Sequence, residues 1–312
     1  MLRDFISVAA NSGPSHFDFL MNISMYVGFS ELVKSRGIAE AAKHAASLGF
    51  SSVELLEFVD GDVPHLTFGN IDEAEEALRV LSSHGLSVSC LSVCANVVDI
   101  HAEAPTAVKP VIERLKKCAD IAAALECPYL HHTLISHLRL PENAPSYDEV
   151  LPLVLEAAKE VADYCLSLGI TCLYEPQGFY INGSYGFGSF FSLLKKRCKN
   201  VGVCGDMGNM LFADEPEYTV FEKHAADIKH VHIKDYYIKD ELSDGEACKS
   251  PSRGGKYLLR APIGKGDINI AKCLKLLKNA GYNGAFSIED SDVAGLSDTV
   301  KTVQKLLLDN FI

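Results

Sequence analysis

Three carboxylates and one imidazole stand at the ends of four successive predicted strands, and this combination of residue types is typical of a metal site. The four residues are Glu175, Asp206, His232 and Glu289. Side chains alternate along a strand, and each of the four falls on the face opposite the apolar residues of its own strand. In a closed barrel the apolar face packs on the outer helices, so these side chains are predicted to point inward.

A divalent cation would remove the repulsion that three buried carboxylates create. Buried charge is costly unless a cation or hydrogen-bond donors compensate it. Three oxygen donors and one nitrogen suit Mn²⁺, Mg²⁺ or Co²⁺, with Zn²⁺ as a further candidate, and leave positions open for water or substrate. The alternative is a set of salt bridges to inward lysines such as Lys234. Four donors on successive strands with matching parity favour the metal.

Further polar residues at the same strand ends are candidates for substrate binding. His131 and His132 close the fourth predicted strand, and only one of them can face inward. Lys234 could hold a substrate hydroxyl or carboxylate, or pair with a nearby acid. Glu54 ends the second strand on the predicted inner face, where a structural hydrogen bond is an equal alternative. The full set of candidates is Asn209, Lys234, His132, His131, Glu54 and Asn96.

Strand-like and helix-like segments alternate along the whole chain. Eight such units without a dinucleotide fingerprint predict an α/β fold, a closed (β/α)₈ TIM barrel, with an open doubly wound sheet as the rival. We expect one domain over residues 1–312, with an N-terminal extension at about 1–18 and a long loop at 235–266. A second connection, Gln177 to Ser189, is rich in glycine and aromatic residues and is predicted to be a lid or a subunit contact. The predicted strands are 20–26, 52–58, 88–94, 129–133, 170–175, 201–206, 230–234 and 285–289.

Composition excludes several classes of protein. The 312 residues are 48% apolar and 22% charged, which is typical of a soluble globular chain. A formal net charge of −12 argues against a nucleic-acid partner. The 10 cysteines contain no CxxC pair, and we find neither a secretory signal nor an apolar run of membrane-spanning length, so we expect a cytoplasmic protein. The expected partner is a small sugar or polyol, and the sequence leaves open whether the chain forms a homo-oligomer.

Seven segments of the sequence match the motifs of a known family: VEL at 53–55, YEP at 174–176, GDMGN at 205–209, HVHIKD at 230–235, IGKGDI at 263–268, GYNG at 281–284 and SIE at 287–289. On these residues the chain resembles the sugar phosphate isomerase/epimerase superfamily, the xylose-isomerase-like TIM barrels, over nearly its whole length. The resemblance implies a metal on Glu175, Asp206, His232 and Glu289, with the two glutamates as an acid/base pair. Ketohexose epimerases usually carry a histidine where Asn209 stands and an arginine shortly after the position of His232, whereas the segment HIKD at 232–235 is closer to the inosose-dehydratase-like branch.

The favoured function is a metal-dependent sugar isomerase or epimerase. One glutamate, Glu175 or Glu289, would remove a proton next to a keto-sugar carbonyl, and the other would return it. The first alternative is a lyase or dehydratase acting on an inosose-like or keto-glycoside substrate, because it needs the same first step. An apurinic-endonuclease-like nuclease would need a three-metal cluster with more histidines and a less acidic surface. A non-catalytic sugar-binding barrel would not need the complete ligand set.

Overall fold

Eight parallel strands close into a barrel. The computed structural model describes residues 22–60, 63–65, 69–248, 250–290 and 292–312. Each strand pairs in parallel with the next along the chain, and the last strand also pairs with the first. This closure confirms the barrel and excludes the open sheet. The strands are β1 Ile23–Met25, β2 Ser52–Asp60, β3 Ser87–Ala95, β4 Tyr129–His132, β5 Thr171–Tyr174, β6 Val201–Asp206, β7 Ile228–Ile233 and β8 Phe286–Ile288.

Helices cover the outside of the barrel, and their ends follow local signals in the sequence. Glu149 Oε2 accepts hydrogen bonds from the backbone and side chain of Ser146, so these two residues form a capping box, and the helix tolerates Pro152 in its second turn. None of the helices in the described ranges is long and apolar enough to cross a membrane. The helices are α1 Val27–Arg36, α2 Ile38–Ser47, α3 Ile71–Ser83, α4 Lys109–Ala124, α5 Tyr147–Ser167, α6 Gly183–Lys195, α7 Thr219–His224, α8 Ile270–Asn279 and α9 Leu296–Asn310.

The alternation of side chains in β7 shows how the barrel separates apolar from polar residues. Val231 and Ile233 are buried in the main apolar core. His230 and His232 are equally buried, but both donate hydrogen bonds to a glutamate on another strand across the barrel. A small separate apolar cluster contains Cys90, Leu173 and Cys204, from β3, β5 and β6. The barrel therefore combines an outer apolar layer with an interior that is largely polar.

The predicted lid at Gln177 to Ser189 is mostly helical instead. Helix α6 begins at Gly183, and Asn182 caps it by accepting a hydrogen bond from the Gly183 amide. Phe187 faces the core rather than the cavity. A Cβ atom at Gly186 would lie 2.2 Å from the Tyr180 carbonyl oxygen, so this glycine serves close packing of the helix on the preceding loop. Only residues 175–182 remain as a connecting loop between β5 and α6.

The predicted long loop at 235–266 contains an antiparallel hairpin, formed by Tyr236–Lys239 and Tyr257–Arg260. Asp235 fastens both ends of this insertion. Its carboxylate accepts hydrogen bonds from the amides of Tyr236, Gly264 and Gly266 at 2.9 Å and of Ile268 at 3.2 Å. The hairpin therefore leaves and rejoins the barrel at one buried point. The other segment predicted outside the barrel, residues 1–18, lies outside the described residues.

Candidate active site

Three carboxylate oxygens converge on one nitrogen of His232 at the carboxyl ends of the strands. Glu175 follows β5, Asp206 ends β6 and Glu289 follows β8. The Nδ1 atom of His232 lies 3.3 Å from Glu175 Oε2, 3.5 Å from Asp206 Oδ2 and 3.7 Å from Glu289 Oε2. All four residues predicted as metal ligands are thus brought together within one small volume.

The spacing of these atoms fits a divalent ion. Ligand atoms about 2.1 Å from a tetrahedral ion lie about 3.4 Å from one another, close to the three observed distances. Glu175 Oε2 and His232 Nδ1 are buried without a hydrogen-bond partner among the described residues. Asp206, His232 and Glu289 form one of the clusters of the described chain whose spacing could hold an ion. The donor set therefore fits a divalent metal such as Mg²⁺, Mn²⁺, Co²⁺ or Zn²⁺.

Two cations from the chain already neutralise part of this cluster. The Lys234 ammonium lies 2.8 Å from Asp206 Oδ2 and 2.6 Å from Glu289 Oε2. The Arg260 guanidinium lies 2.6 Å from Glu289 Oε1 and also donates to the Glu289 carbonyl oxygen at 2.9 Å. Salt bridges and a metal site are therefore not exclusive alternatives here, because Glu175 and the Nδ1 atom of His232 lie outside these ion pairs.

Burial and neighbouring charges separate the pKa values of the carboxylates. Burial raises the pKa of Glu175 to about 7, although its contact with His232 acts in the opposite direction. Burial also acts upward on Asp206, but the Lys234 ammonium and His232 outweigh it and hold the pKa of Asp206 well below its usual range. Glu175 can therefore exchange a proton near neutral pH while Asp206 stays ionised.

The surroundings of His232 favour a positively charged imidazole when no metal is bound. Burial opposes that charge, but Cys204, Glu54 and Asp206 outweigh it and raise the pKa of His232 well above its usual value. Its Nε2 atom donates to Glu54, so the second proton would occupy Nδ1, among the three carboxylate oxygens. A divalent ion bound there would replace this proton, which is the usual linkage between metal binding and proton release.

Glu54 lies beneath the carboxylate cluster and not in its mouth. It is fully buried on β2 and accepts hydrogen bonds from His230 Nε2 at 2.7 Å and His232 Nε2 at 2.9 Å. The spacing of Glu54, His230 and His232 could also hold an ion. Their facing atoms are already hydrogen-bonded to one another, so we favour the cluster above. Hydrogen bonding of this kind orients a histidine ligand and fixes its tautomer.

The other substrate-binding candidates lie at different depths. Between the two histidines of β4, His131 faces the cluster, with Nε2 3.6 Å from Glu175 Oε1, while His132 packs its ring edge against Tyr174 on the outer side. Asn209 is buried, with Oδ1 3.4 Å from the Lys234 ammonium. Asn96 Oδ1 accepts hydrogen bonds from Ser136, so this residue holds a loop.

Arg260 is the site residue that our reading of the sequence did not include. It lies at the end of the hairpin, 29 residues before Glu289, and its side chain is 53% exposed. Its guanidinium also lies 5.2 Å from the centre of the Tyr236 ring. The sequence gives only a weak indication that Arg260 belongs to the site. It is a basic residue just before the glycine turn at 264–266, but nothing in the local sequence shows that the hairpin returns it to the barrel mouth.

A cavity of about 190 Å³ opens onto these groups. Glu175, His131, His232, Lys234 and Glu289 all line it. A second pocket of about 500 Å³ lies against the other side of Glu289 and is lined by Arg260 and by residues before and within α9. Glu289 contributes to both spaces, so the functional groups border a concave region of a size that suits a small molecule.

Comparisons with known proteins identify relatives of this chain and of its fold. An inosose dehydratase from Geobacillus thermodenitrificans (strain NG80-2) is 32% identical over 91 residues, which cover 29% of this chain and 30% of that relative. A xylose isomerase-like TIM barrel protein from Mycobacterium smegmatis, solved in complex with magnesium, is 18% identical with a TM-score of 0.68 over 94% of this chain and 98% of that one.

An epimerase structure has the same fold. The D-allulose 3-epimerase from Methylomonas sp., solved in complex with D-allulose, is 14% identical with a TM-score of 0.65 over 93% of this chain and 97% of that one. The family model for the xylose isomerase-like TIM barrel matches residues 42–307. That match includes all four converging residues and both strands that hold Glu54 and His131. The chain therefore belongs to the xylose isomerase-like TIM barrel family.

Proposed function

We propose that this protein is a divalent-metal-dependent isomerase or epimerase that transfers a proton next to the carbonyl of a keto-sugar or related polyol. The observation that carries the proposal is the pair of glutamates whose carboxylate oxygens lie 3.3 Å and 3.7 Å from His232 Nδ1. Glu175 and Glu289 come from β5 and β8 and have different surroundings. Glu289 is held by two cations, whereas Glu175 has the imidazole nitrogens of His131 and His232 within 4 Å of its carboxylate.

Such a pair can take up a proton and return one. Without a metal, burial raises the pKa of Glu175 to about 7, and its carboxyl lines the cavity in which a substrate would bind. Glu289 keeps a fixed position between Lys234 and Arg260, so its carboxylate meets the substrate from a constant direction. When bound, a divalent ion would supply the Lewis acidity that makes a proton next to a carbonyl removable. Glu175, Asp206, His232 and Glu289 would hold that ion.

A dehydratase is the second candidate, and Lys234 is the observation that favours it. Its ammonium is buried beside Glu289 and is the one lysine that lines the cavity in the described part of the chain. After a glutamate removes the proton next to the carbonyl, an ammonium so placed could donate a proton to a departing β-hydroxyl. The inosose dehydratase among the relatives carries out a reaction of this class by name.

Deuterium exchange distinguishes these reactions. We would incubate the metal-loaded protein in D₂O with D-allulose and with an inosose. An isomerase or epimerase should place deuterium in product and recovered substrate without a new chromophore, whereas a dehydratase should build an enone or dicarbonyl absorbance. Glu289→Gln should lower either signal about 10²–10⁴-fold, because an amide is a poor base.

A matched control keeps the test specific to the site. Glu217 is also buried, but its carboxylate accepts a backbone hydrogen bond from Asn269, so Glu217→Gln should retain the exchange. His232→Ala should abolish metal uptake, measured by elemental analysis after titration, while His224→Ala should keep it because that ring packs against the stacked rings of Phe187 and Phe191. Turnover without exchange, without chromophore and without loss in Glu289→Gln would refute proton transfer.

A further inference from the structure

A chain of hydrogen bonds runs from Glu54 through Ser92 to His131, beneath the carboxylate cluster. Ser92 Oγ donates to Glu54 Oε1 and also lies 2.9 Å from His131 Nδ1. Glu54 receives two further donors, the Nε2 atoms of His230 and His232. Three donors thus surround one carboxylate, which offers only acceptor sites when ionised.

The direction of this chain follows from counting hydrogens. A serine hydroxyl has one hydrogen to donate, and Ser92 gives it to Glu54. Its contact with His131 Nδ1 must therefore run the other way, with the imidazole N–H donating to the serine oxygen. A neutral imidazole carries one hydrogen, so the Nε2 atom of His131 keeps its lone pair. The buried Glu54 thereby sets the tautomer of His131 through Ser92.

The free nitrogen of His131 faces another acceptor. Its Nε2 atom is buried without a hydrogen-bond partner within the ranges that the structure describes, and it lies 3.6 Å from Glu175 Oε1. When Glu175 is ionised, two acceptors at this separation do not bond to each other, and a donor lying to the side of the line between them can contact both. Both residues line the 190 Å³ cavity, so the donor can come from a molecule bound there.

A hydroxyl group fits this position better than a second metal ion. Among the described residues, no cluster of three or more histidine, cysteine, aspartate or glutamate ligands with metal-like spacing includes His131. The lysine that lines the cavity, Lys234, is already engaged with Asp206 and Glu289. A hydroxyl donates a hydrogen at 2.5–3.0 Å and needs no further protein ligand.

We propose that His131 binds substrate by accepting a hydrogen bond from a substrate hydroxyl beside Glu175, and that Ser92 and Glu54 are positioning residues that keep its Nε2 atom free to do so. The inference rests on the proposed function, because it places this hydroxyl next to the proton-transferring carboxyl. It names a specificity determinant of the same site. A site that accepts from a hydroxyl discriminates strongly against an analogue that lacks it.

Imidazole nitrogen NMR tests the tautomer directly in the full-length, metal-free protein. Long-range ¹⁵N–¹H spectra of histidine-labelled protein distinguish a nitrogen that carries hydrogen from one that has a lone pair, and His131→Gln assigns the resonance. We expect hydrogen on Nδ1 and a lone pair on Nε2. Ser92→Ala should shift His131 toward the opposite tautomer. Ser89→Ala is the control, because the hydroxyl of Ser89 bonds Ser24 and the Val53 carbonyl instead.

A small hydroxyl probe tests the role of the free nitrogen. Glycerol added to molar concentration should move the Nε2 resonance of His131 in the parent protein more than that of the exposed His84. Hydrogen on Nε2 in the parent, an unchanged tautomer in Ser92→Ala, or no response to glycerol would each overturn the proposal. These spectra need no metal, so failure of metal uptake or of deuterium exchange refutes the proposed function separately.

Discussion

Replacing Lys234 by methionine should make the protein depend on a divalent ion for its stability. The buried ammonium lies 2.8 Å from Asp206 Oδ2 and 2.6 Å from Glu289 Oε2, and methionine keeps most of its length without the charge. Removing one partner of a buried ion pair typically costs about 3–5 kcal/mol, because it leaves the other charge buried and unpaired. We expect a loss near the lower end of this range, because Arg260 still pairs with Glu289.

A divalent ion should restore much of that loss. It would bind the same carboxylates, and an ion present at 100 times its dissociation constant stabilises the folded state by about 2.7 kcal/mol. The increment should be larger in Lys234→Met than in the parent, because the parent's ammonium competes for Asp206 and Glu289. Urea unfolding with chelator, and again with excess Mn²⁺ or Mg²⁺, measures both quantities.

The control for this experiment is Lys239→Met, on the hairpin. Lys239 pairs with Glu246, and both side chains are about one-third exposed, so the change should cost only about 0–1 kcal/mol and respond to metal like the parent. Our reasoning would be refuted if Lys234→Met had the same free energy of unfolding as the parent in the presence of chelator. It would also fail if metal ions stabilised both proteins by the same amount.

Two further predictions concern residues near the site. Burial lowers the pKa of His132 to about 4, so below pH 6.5 the histidine of the unfolded chain takes up a proton while the buried ring of the folded protein stays neutral. Between pH 6.5 and pH 4 the free energy of unfolding of the parent should therefore fall by up to about 3 kcal/mol more than that of His132→Gln. Urea unfolding across this pH range measures the difference. An equal dependence of unfolding free energy on pH in the two proteins would contradict this prediction. Asn209→Ala should keep its metal and raise KM about 2- to 12-fold with little change in kcat, because the variant loses one side-chain hydrogen bond to substrate. The hydrogen bond from the Asn182 side chain to the backbone carbonyl of residue 209 survives the change. Loss of metal in this variant would contradict the assignment.

The barrel and the convergence of its carboxylates can be predicted from the alternation of strands and helices and from the alternation of side chains along each strand. Alternation along a strand is a local property, so the parity of Asp206 and His232 could be read without a structure. The closure of eight such strands then brings their ends together. Alternation alone could not tell that Glu54 sits beneath the cluster, because depth depends on how neighbouring strands are staggered. Only the register between β2 and β3, with its irregularity at Val53 and Glu54, fixes that depth.

Tertiary contacts determine helix α6 and the hairpin, which could not be predicted from the local sequence. Glycines at 183, 186 and 188 are typical of a loop, yet this segment is helical because burial of Phe187, Phe190 and Phe191 outweighs the low helix propensity of glycine. The hairpin pairs residues separated by a turn segment of 17 residues, from 240 to 256, too far apart for a short-turn signal. Arg260 therefore could not be placed beside Glu289 in advance.

The fastening of the hairpin by Asp235 bears on how such a barrel can change its substrate over evolutionary time. One carboxylate holds four amides at the two ends of the insertion, so the ends stay fixed whatever lies between them. Doubling the length of a flexible loop adds only about 0.6 kcal/mol to the entropy of closing it. The part of the tip at 240–256 that precedes Ser252, whose hydroxyl donates to Asp214, can therefore gain or lose residues, and remodel the rim above Arg260, without moving the groups that perform the chemistry.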